Sequence, residues 1–197
     1  MQRTLIHPHR NIALYCSSFQ SVVFIRRKLQ RIGSAKVLFL DETHKREGDV
    51  DRYTIVLPGE SPFIETSTTS QYATRYDMIA CCSGKTTLPP IIYSLEDRSK
   101  GITQEMLLDY IRNLLAQAAG ALDVYPLYLV VDRAPIHNAG KMLEVFHDWG
   151  CQELKEVMLM PPAAAKRLSP LDNSLFNIWR QKVLSGGPLR KSNIVRK

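Results

Sequence analysis

With 197 residues, 45% of them hydrophobic and 23% charged, the chain is sized for one α/β domain with its own core. No run approaches the roughly 18 apolar residues of a membrane-spanning helix, and the start, Met1 to Arg10, lacks the apolar stretch of a secretory signal. The net charge of +7 sits at the ends: residues 1–40 and 173–197 hold seven and six Lys/Arg and no acid, while 41–172 carries −6.

Residues 1–18 show no clear period. A helix is predicted over 19–32, with Phe19, Val22, Val23, Leu29 and Ile32 on its apolar side. Arg27, Lys28 and Arg31 cluster on it, because positions three and four apart share a helix face. Gly33-Ser34 ends it, and the apolar run Val37–Leu40 predicts a strand over 37–41. Residues 43–61 read as a polar loop with a short strand at 53–57. Strands follow at 76–82 and 88–94, joined by a turn at Gly84-Lys85-Thr86. Pro89 and Pro90 assign the later strand to a sheet edge or make its start irregular.

Thr103 caps a predicted helix over 104–119, whose stripe is Leu107, Leu108, Ile111, Leu114, Leu115 and Ala118, with Gly120 as the stop. A strand over 127–132 comes next. Asn138 caps a helix to Trp149, with Met142, Leu143, Phe146 and Trp149 inward. A short strand at 157–160 runs into Pro161-Pro162. Ser169 as cap and Pro170 in the first helical position open a last helix, with Leu171, Leu175, Ile178, Trp179 and Val183 as its stripe. Three consecutive strands followed by alternating helices and strands predict an α/β fold. Its mixed sheet has five strands, a three-strand antiparallel meander plus two parallel strands, with helices on both faces.

Three acids stand at element boundaries. Asp41 and Asp132 each end an apolar strand run, and Asp172 lies in the first turn of the last helix. Phosphodiester chemistry needs an activated attacking oxygen and a stabilised leaving oxygen. Two divalent ions about 4 Å apart supply both, and carboxylates hold them because magnesium prefers oxygen ligands. From spacing alone the alternative stays open that Asp172 is a first-turn acid favoured by the helix dipole and the others are ordinary strand ends. Basic ends around an acidic middle suit a protein that grips a polyanion at its flanks; solvated faces that keep the chain soluble are the plainer reading. The four cysteines, Cys16, Cys81, Cys82 and Cys151, form no C-x-x-C, which argues against zinc and for a reducing compartment. Ser83-Gly84-Lys85-Thr86 is not a phosphate loop, since Ile79 stands where that motif needs glycine. Glu42, next to Asp41 on an alternating strand, is expected to point the other way as a structural carboxylate. His137 is expected to be satisfied by backbone at a helix start, and Trp149 and Trp179 to be core.

These residues carry a family resemblance. Val37-Leu38-Phe39-Leu40-Asp41-Glu42-Thr43 resembles the first catalytic block of the mariner-type DDE transposases. Val130-Val131-Asp132-Arg133-Ala134-Pro135-Ile136-His137-Asn138 is similar to the second, Asp-Asn-Ala-x-x-His. Leu159-Met160-Pro161-Pro162, then Leu168-Ser169-Pro170-Leu171-Asp172-Asn173 and Trp179, resembles the third. The likeness runs from about Lys36 to Val183 in the family's order and spacing. Two departures stand out. Arg133 replaces the usual Asn, where it either touches a phosphate or pairs with Asp132. Ala163-Ala164-Ala165-Lys166-Arg167 replaces the usual Tyr-Ser-Pro stretch.

The resemblance implies a ribonuclease-H-like fold and a DNA-cleaving, strand-joining activity. In it, water attacks a phosphodiester at a transposon end and the freed 3′-hydroxyl attacks target DNA. It implies Asp41, Asp132 and Asp172 as catalytic metal ligands for two Mg2+ (or Mn2+) ions. Arg27, Lys28, Arg31 and Arg133 would contact nucleic acid, together with the 190–197 tail. Residues 1–36 become a basic lead-in left from an upstream DNA-binding region, 37–184 the catalytic domain and 185–197 a basic tail. The expected partners are DNA, both transposon ends and target, and a second copy of the chain as a homodimer; the expected location is the nucleus, with no membrane role. The rival expectation is an inactive or domesticated relative that binds nucleic acid or protein without cleaving.

Overall fold

The computed structural model describes residues 8–46, 74–95, 101–161, 164 and 167–179. The strand expected at 53–57, the end of the last helix near Val183 and the basic tail lie outside these. Five strands form one sheet: β1 (Val37–Arg46), β2 (Arg75–Ser83), β3 (Thr87–Leu95), β4 (Leu127–Asp132) and β5 (Leu154–Met160), in the order β3-β2-β1-β4-β5. β1–β2 and β2–β3 pair antiparallel, β1–β4 and β4–β5 parallel, which is the meander plus parallel extension read from the element order. β3 is an edge strand. Its register slips between Ile79 and Cys81 of β2, where Pro89 and Pro90 together stand opposite a single residue. Neither proline can donate to the ladder, so the bulge falls where no donor is lost to it.

Alternation along the strands sorts side chains between two layers. Leu38 and Leu40 of β1, Ile79 and Cys81 of β2, and Leu127, Leu129 and Val131 of β4 point to one face. There they pack against α2 (Gln104–Tyr110), α3 (Ala116–Gly120) and α4 (Ala139–Asp148), through Leu107, Tyr110, Ile111, Leu115, Ala119, Met142 and Phe146. Thr103 caps α2 by accepting from the Met106 N–H, and Asn138 caps α4 by accepting from Lys141. The helix predicted over 104–119 is continuous but passes through a π-helical turn, Ile111–Leu115.

The opposite face is covered by two helices. α1 (Pro8–Ile32) starts earlier than its periodicity suggested, with Pro8 where a missing N–H costs nothing. Val22, Ile25, Leu29 and Ile32 pack on Val37, Val130 and Met160, so the C-terminal half of this basic helix shares a core with the sheet. The last helix begins as a π-helical turn, Leu171–Leu175, and continues through residues 176–179. Its Leu171, Leu175, Phe176 and Trp179 pack on Met78, Ala80, Cys82 and Phe39.

Trp149 departs from expectation. It sits one residue past α4 with φ −117° and ψ 18°, so its side chain leaves the helical stripe. The ring is 46% exposed and carries the Arg112 guanidinium 5.6 Å from its centroid. Among the described residues no helix is long and apolar enough to cross a membrane.

Candidate active site

β1 and β4 run side by side with Val37, Leu38 and Phe39 opposite Tyr128, Leu129 and Val130. Carried two residues further, that register brings Asp41 level with Asp132, the last residue of β4. Asp41 itself lies midway along β1, which runs on to Arg46, past the end expected at 41 and into the stretch expected to be loop, because it stays paired with β2. Parity decides the face: Asp41 follows Val37 and Phe39, and Asp132 follows Val130, all on the layer covered by α1 and the last helix. Asp172 opens that last helix, where its backbone N–H lies 3.4 Å from the Ser169 hydroxyl that caps the turn. Leu171, one residue before Asp172, is fully buried against β2, which fixes the helix start over the sheet.

The charges feel one another. Burial first, then the Asp172 charge, raises Asp41 from its ordinary range to about 7; Glu42 and Asp132 add to the rise, and the Glu42 N–H opposes it. Asp132 moves the other way: its hydrogen bond from His137 outweighs burial and lowers its pKa. Burial opposes charge on His137, yet bonds to Asp132 and Glu42 push it up to about 10. His137 is therefore an imidazolium held between two carboxylates.

The oxygens divide between bound and open. Asp41 Oδ1 accepts from the Glu42 N–H at 2.8 Å. Asp132 Oδ1 accepts from the Ala134 N–H at 3.0 Å and from His137 Nδ1 at 2.8 Å. Among the described residues neither Oδ2 has a hydrogen-bond partner, which leaves one open oxygen per aspartate. Among those same residues no group of three His, Cys, Asp or Glu side chains converges to hold a metal ion. The donor set still fits magnesium or manganese. All donors are hard oxygens, and magnesium commonly takes only one or two protein carboxylates, filling its shell with water and substrate phosphate.

The expected cationic contacts fare differently. Arg27, Arg31 and Arg133 are exposed. Arg133 does not pair with Asp132, whose partners are His137 and Ala134. Lys28 is committed within the chain: its ammonium lies 2.7 and 2.9 Å from the two carboxylate oxygens of Glu156 on β5. Glu42 is a hydrogen-bonding structural carboxylate as expected. His137 is not satisfied by backbone alone, because it also bridges Glu42 and Asp132. Nothing in local periodicity pointed to that bridge; the family-type spacing of Asp132 and His137 was its one trace.

A family model for the DDE superfamily endonucleases matches residues 36–186. No curated protein matches the sequence. Among solved structures the chain resembles a Mos1 strand transfer complex, with TM-score 0.60 and 13% identity over 92% of this chain and 51% of that one. It resembles the Mos1 mariner paired end complex with Mn at TM-score 0.61 and 12% identity, over 83% and 47%. The catalytic domain of Mos1 mariner transposase aligns at TM-score 0.53 and 12% identity, over 84% and 69%. At such identities the likeness is one of fold, the ribonuclease-H-like sheet, and the chain spans about half the length of the first of these structures.

Proposed function

Because the chain belongs to the DDE superfamily endonuclease family, whose model spans residues 36–186, we propose that it is the metal-dependent catalytic domain of a mariner-type DNA transposase. On this reading it hydrolyses a phosphodiester at a transposon end and joins the freed end to target DNA, in the nucleus and as a pair of subunits. The observation that carries the reading is that Asp41 on β1 and Asp132 at the end of β4 lie level on neighbouring strands, each with an open oxygen, while Asp172 lies in the first turn of the last helix and its charge reaches Asp41.

Two magnesium or manganese ions, when bound, supply Lewis-acid polarisation of the phosphate and charge for the attacking and leaving oxygens. Asp41 and Asp132 would offer one oxygen each, and Asp172, whose charge is felt at Asp41, would complete the set. Raised to about 7, Asp41 keeps its proton below that pH unless a cation offsets the neighbouring carboxylates. His137 and the Ala134 N–H hold Asp132 still, so little reorganisation is left for the reaction itself. Arg133, exposed beside Asp132, is suited to a DNA phosphate, as are Arg27 and Arg31 on α1.

The test is nicking of supercoiled plasmid by the full chain with magnesium or manganese, beside an Asp132→Ala control. Metal-dependent nicking lost in the control supports the reading. DNA binding without nicking under either metal favours the non-cleaving relative instead, and nicking that survives the substitution assigns the chemistry elsewhere.

A further inference from the structure

His137 belongs to no set of open oxygens, yet it is the most completely enclosed group at the site: its side chain is 0% exposed. Both ring nitrogens are engaged. Nδ1 lies 2.8 Å from Asp132 Oδ1 and 3.0 Å from the Asp132 carbonyl oxygen, and Nε2 lies 3.0 Å from Glu42 Oε1. The ring thus spans from the end of β4 to the residue that follows Asp41 on β1. Its own backbone is pinned as well. The His137 N–H donates to the Ala134 carbonyl at 3.0 Å, and the Gln104 side-chain amide donates to the Ile136 carbonyl at 3.2 Å. A loop anchored at both ends therefore carries a ring that is anchored at both nitrogens.

The consequence is positional. With two donors on Oδ1 of Asp132 and none on Oδ2, rotation of that carboxylate would break two hydrogen bonds at once. We propose that His137 is a positioning residue, clamped between Glu42 and Asp132, that presents Asp132 Oδ2 to a divalent cation and holds the end of β4 at fixed separation from the middle of β1. This rests on the metal-site reading of Asp132. A carboxylate held by a second group is a better preorganised ligand, and loss of such a partner typically weakens metal binding about 10- to 100-fold.

The two amide replacements divide the clamp. The His137→Asn amide reaches about as far as Nδ1 and keeps the bond to Asp132, whereas the His137→Gln amide reaches about as far as Nε2 and keeps only Glu42. Manganese affinity is measured calorimetrically on the full chain, with thermal unfolding to confirm folding. His137→Gln is expected to weaken manganese about tenfold or more, and His137→Asn clearly less. Equal affinity for His137→Gln and the native chain, while Asp132→Asn abolishes binding, overturns the clamp and leaves the metal reading intact. Undiminished binding by Asp132→Asn overturns the metal reading itself, and the clamp with it. Should His137→Gln not fold, Glu42→Ala releases Nε2 without touching Asp132: weaker manganese binding then supports the clamp and unchanged binding overturns it.

Discussion

Asp41 and Asp132 stand at the same level on neighbouring parallel strands, two residues beyond the paired Phe39 and Val130, and each ties Oδ1 to the chain while Oδ2 has no partner among the described residues. Burial and then the Asp172 charge weigh most on the charged form of Asp41, with Glu42 and Asp132 adding to the repulsion. Such an arrangement costs stability, and a bound cation would relieve it.

The strain has a pH signature. Asp41 titrates at about 7 in the fold and near 3.8 when unperturbed, so the native state binds the proton more tightly. Native stability from this group therefore falls as pH rises from about 3.8 through 7, then levels off. Asp41→Asn, which carries no charge, should gain thermal stability over the native chain at pH 8 in the absence of divalent ions, and much less at pH 5. A gain of equal size at both values would show that Asp41 is not the group under strain.

Divalent ions should reverse the sign. A protonated Asp41 is a poor ligand, so magnesium must displace its proton below pH 7. Melting temperature is expected to rise with added magnesium at pH 8, and to rise less at pH 5.5 for the same concentration. Identical shifts at the two values would contradict participation of Asp41.

Lys28 offers a test of how α1 meets DNA. It is held by Glu156, with side-chain exposures of 38% and 44%. Such an exposed pair contributes about 0–1 kcal/mol to stability, so Glu156→Gln should leave melting almost unchanged. It should tighten binding to duplex DNA and steepen the salt dependence, because it frees a cation. Arg27→Gln and Arg31→Gln should weaken binding and flatten that dependence. Weaker binding by Glu156→Gln would exclude Lys28 from the DNA face.

Two chain segments meet in a tight joint away from the site. A β-carbon on Gly120, at the end of α3, would lie 2.0 Å from the Gly150 carbonyl oxygen just past α4. That neighbour is backbone and cannot turn aside. Gly120→Ala is expected to cost about 1–3 kcal/mol, the usual scale of overpacking, read from chemical denaturation. A loss under about 0.5 kcal/mol, the range of neutral surface changes, would mean that the two chain segments part easily.

Much of this was legible in the sequence, for local reasons. Apolar runs marked β1 and β4, residues 76–82 read as β2, and Thr103, Asn138 and Ser169 marked helix starts because each places an oxygen where free N–H groups need one. The Pro89-Pro90 pair pointed to an edge strand or an irregular start, and the strand proved to be an edge with a bulge at the pair. Where reading failed, tertiary or non-helical geometry had intervened. Trp149 fits the α4 stripe only if the helix continues, and the chain turns out of it at that residue. The start of α1 carries no clean period. The meeting of Glu42 with His137 bridges 95 positions of sequence that no local pattern connects.

Asp172 differs from the other two acids in coming from a helix and not from a strand. Manganese binding to the full chain in the presence of a short DNA duplex, measured for Asp41→Asn, Asp132→Asn and Asp172→Asn in parallel, tests directly whether the three act together. We predict that each substitution alone abolishes or strongly weakens binding while thermal unfolding remains cooperative. An Asp172→Asn chain that binds manganese as the native one does would contradict a shared pocket for the three carboxylates.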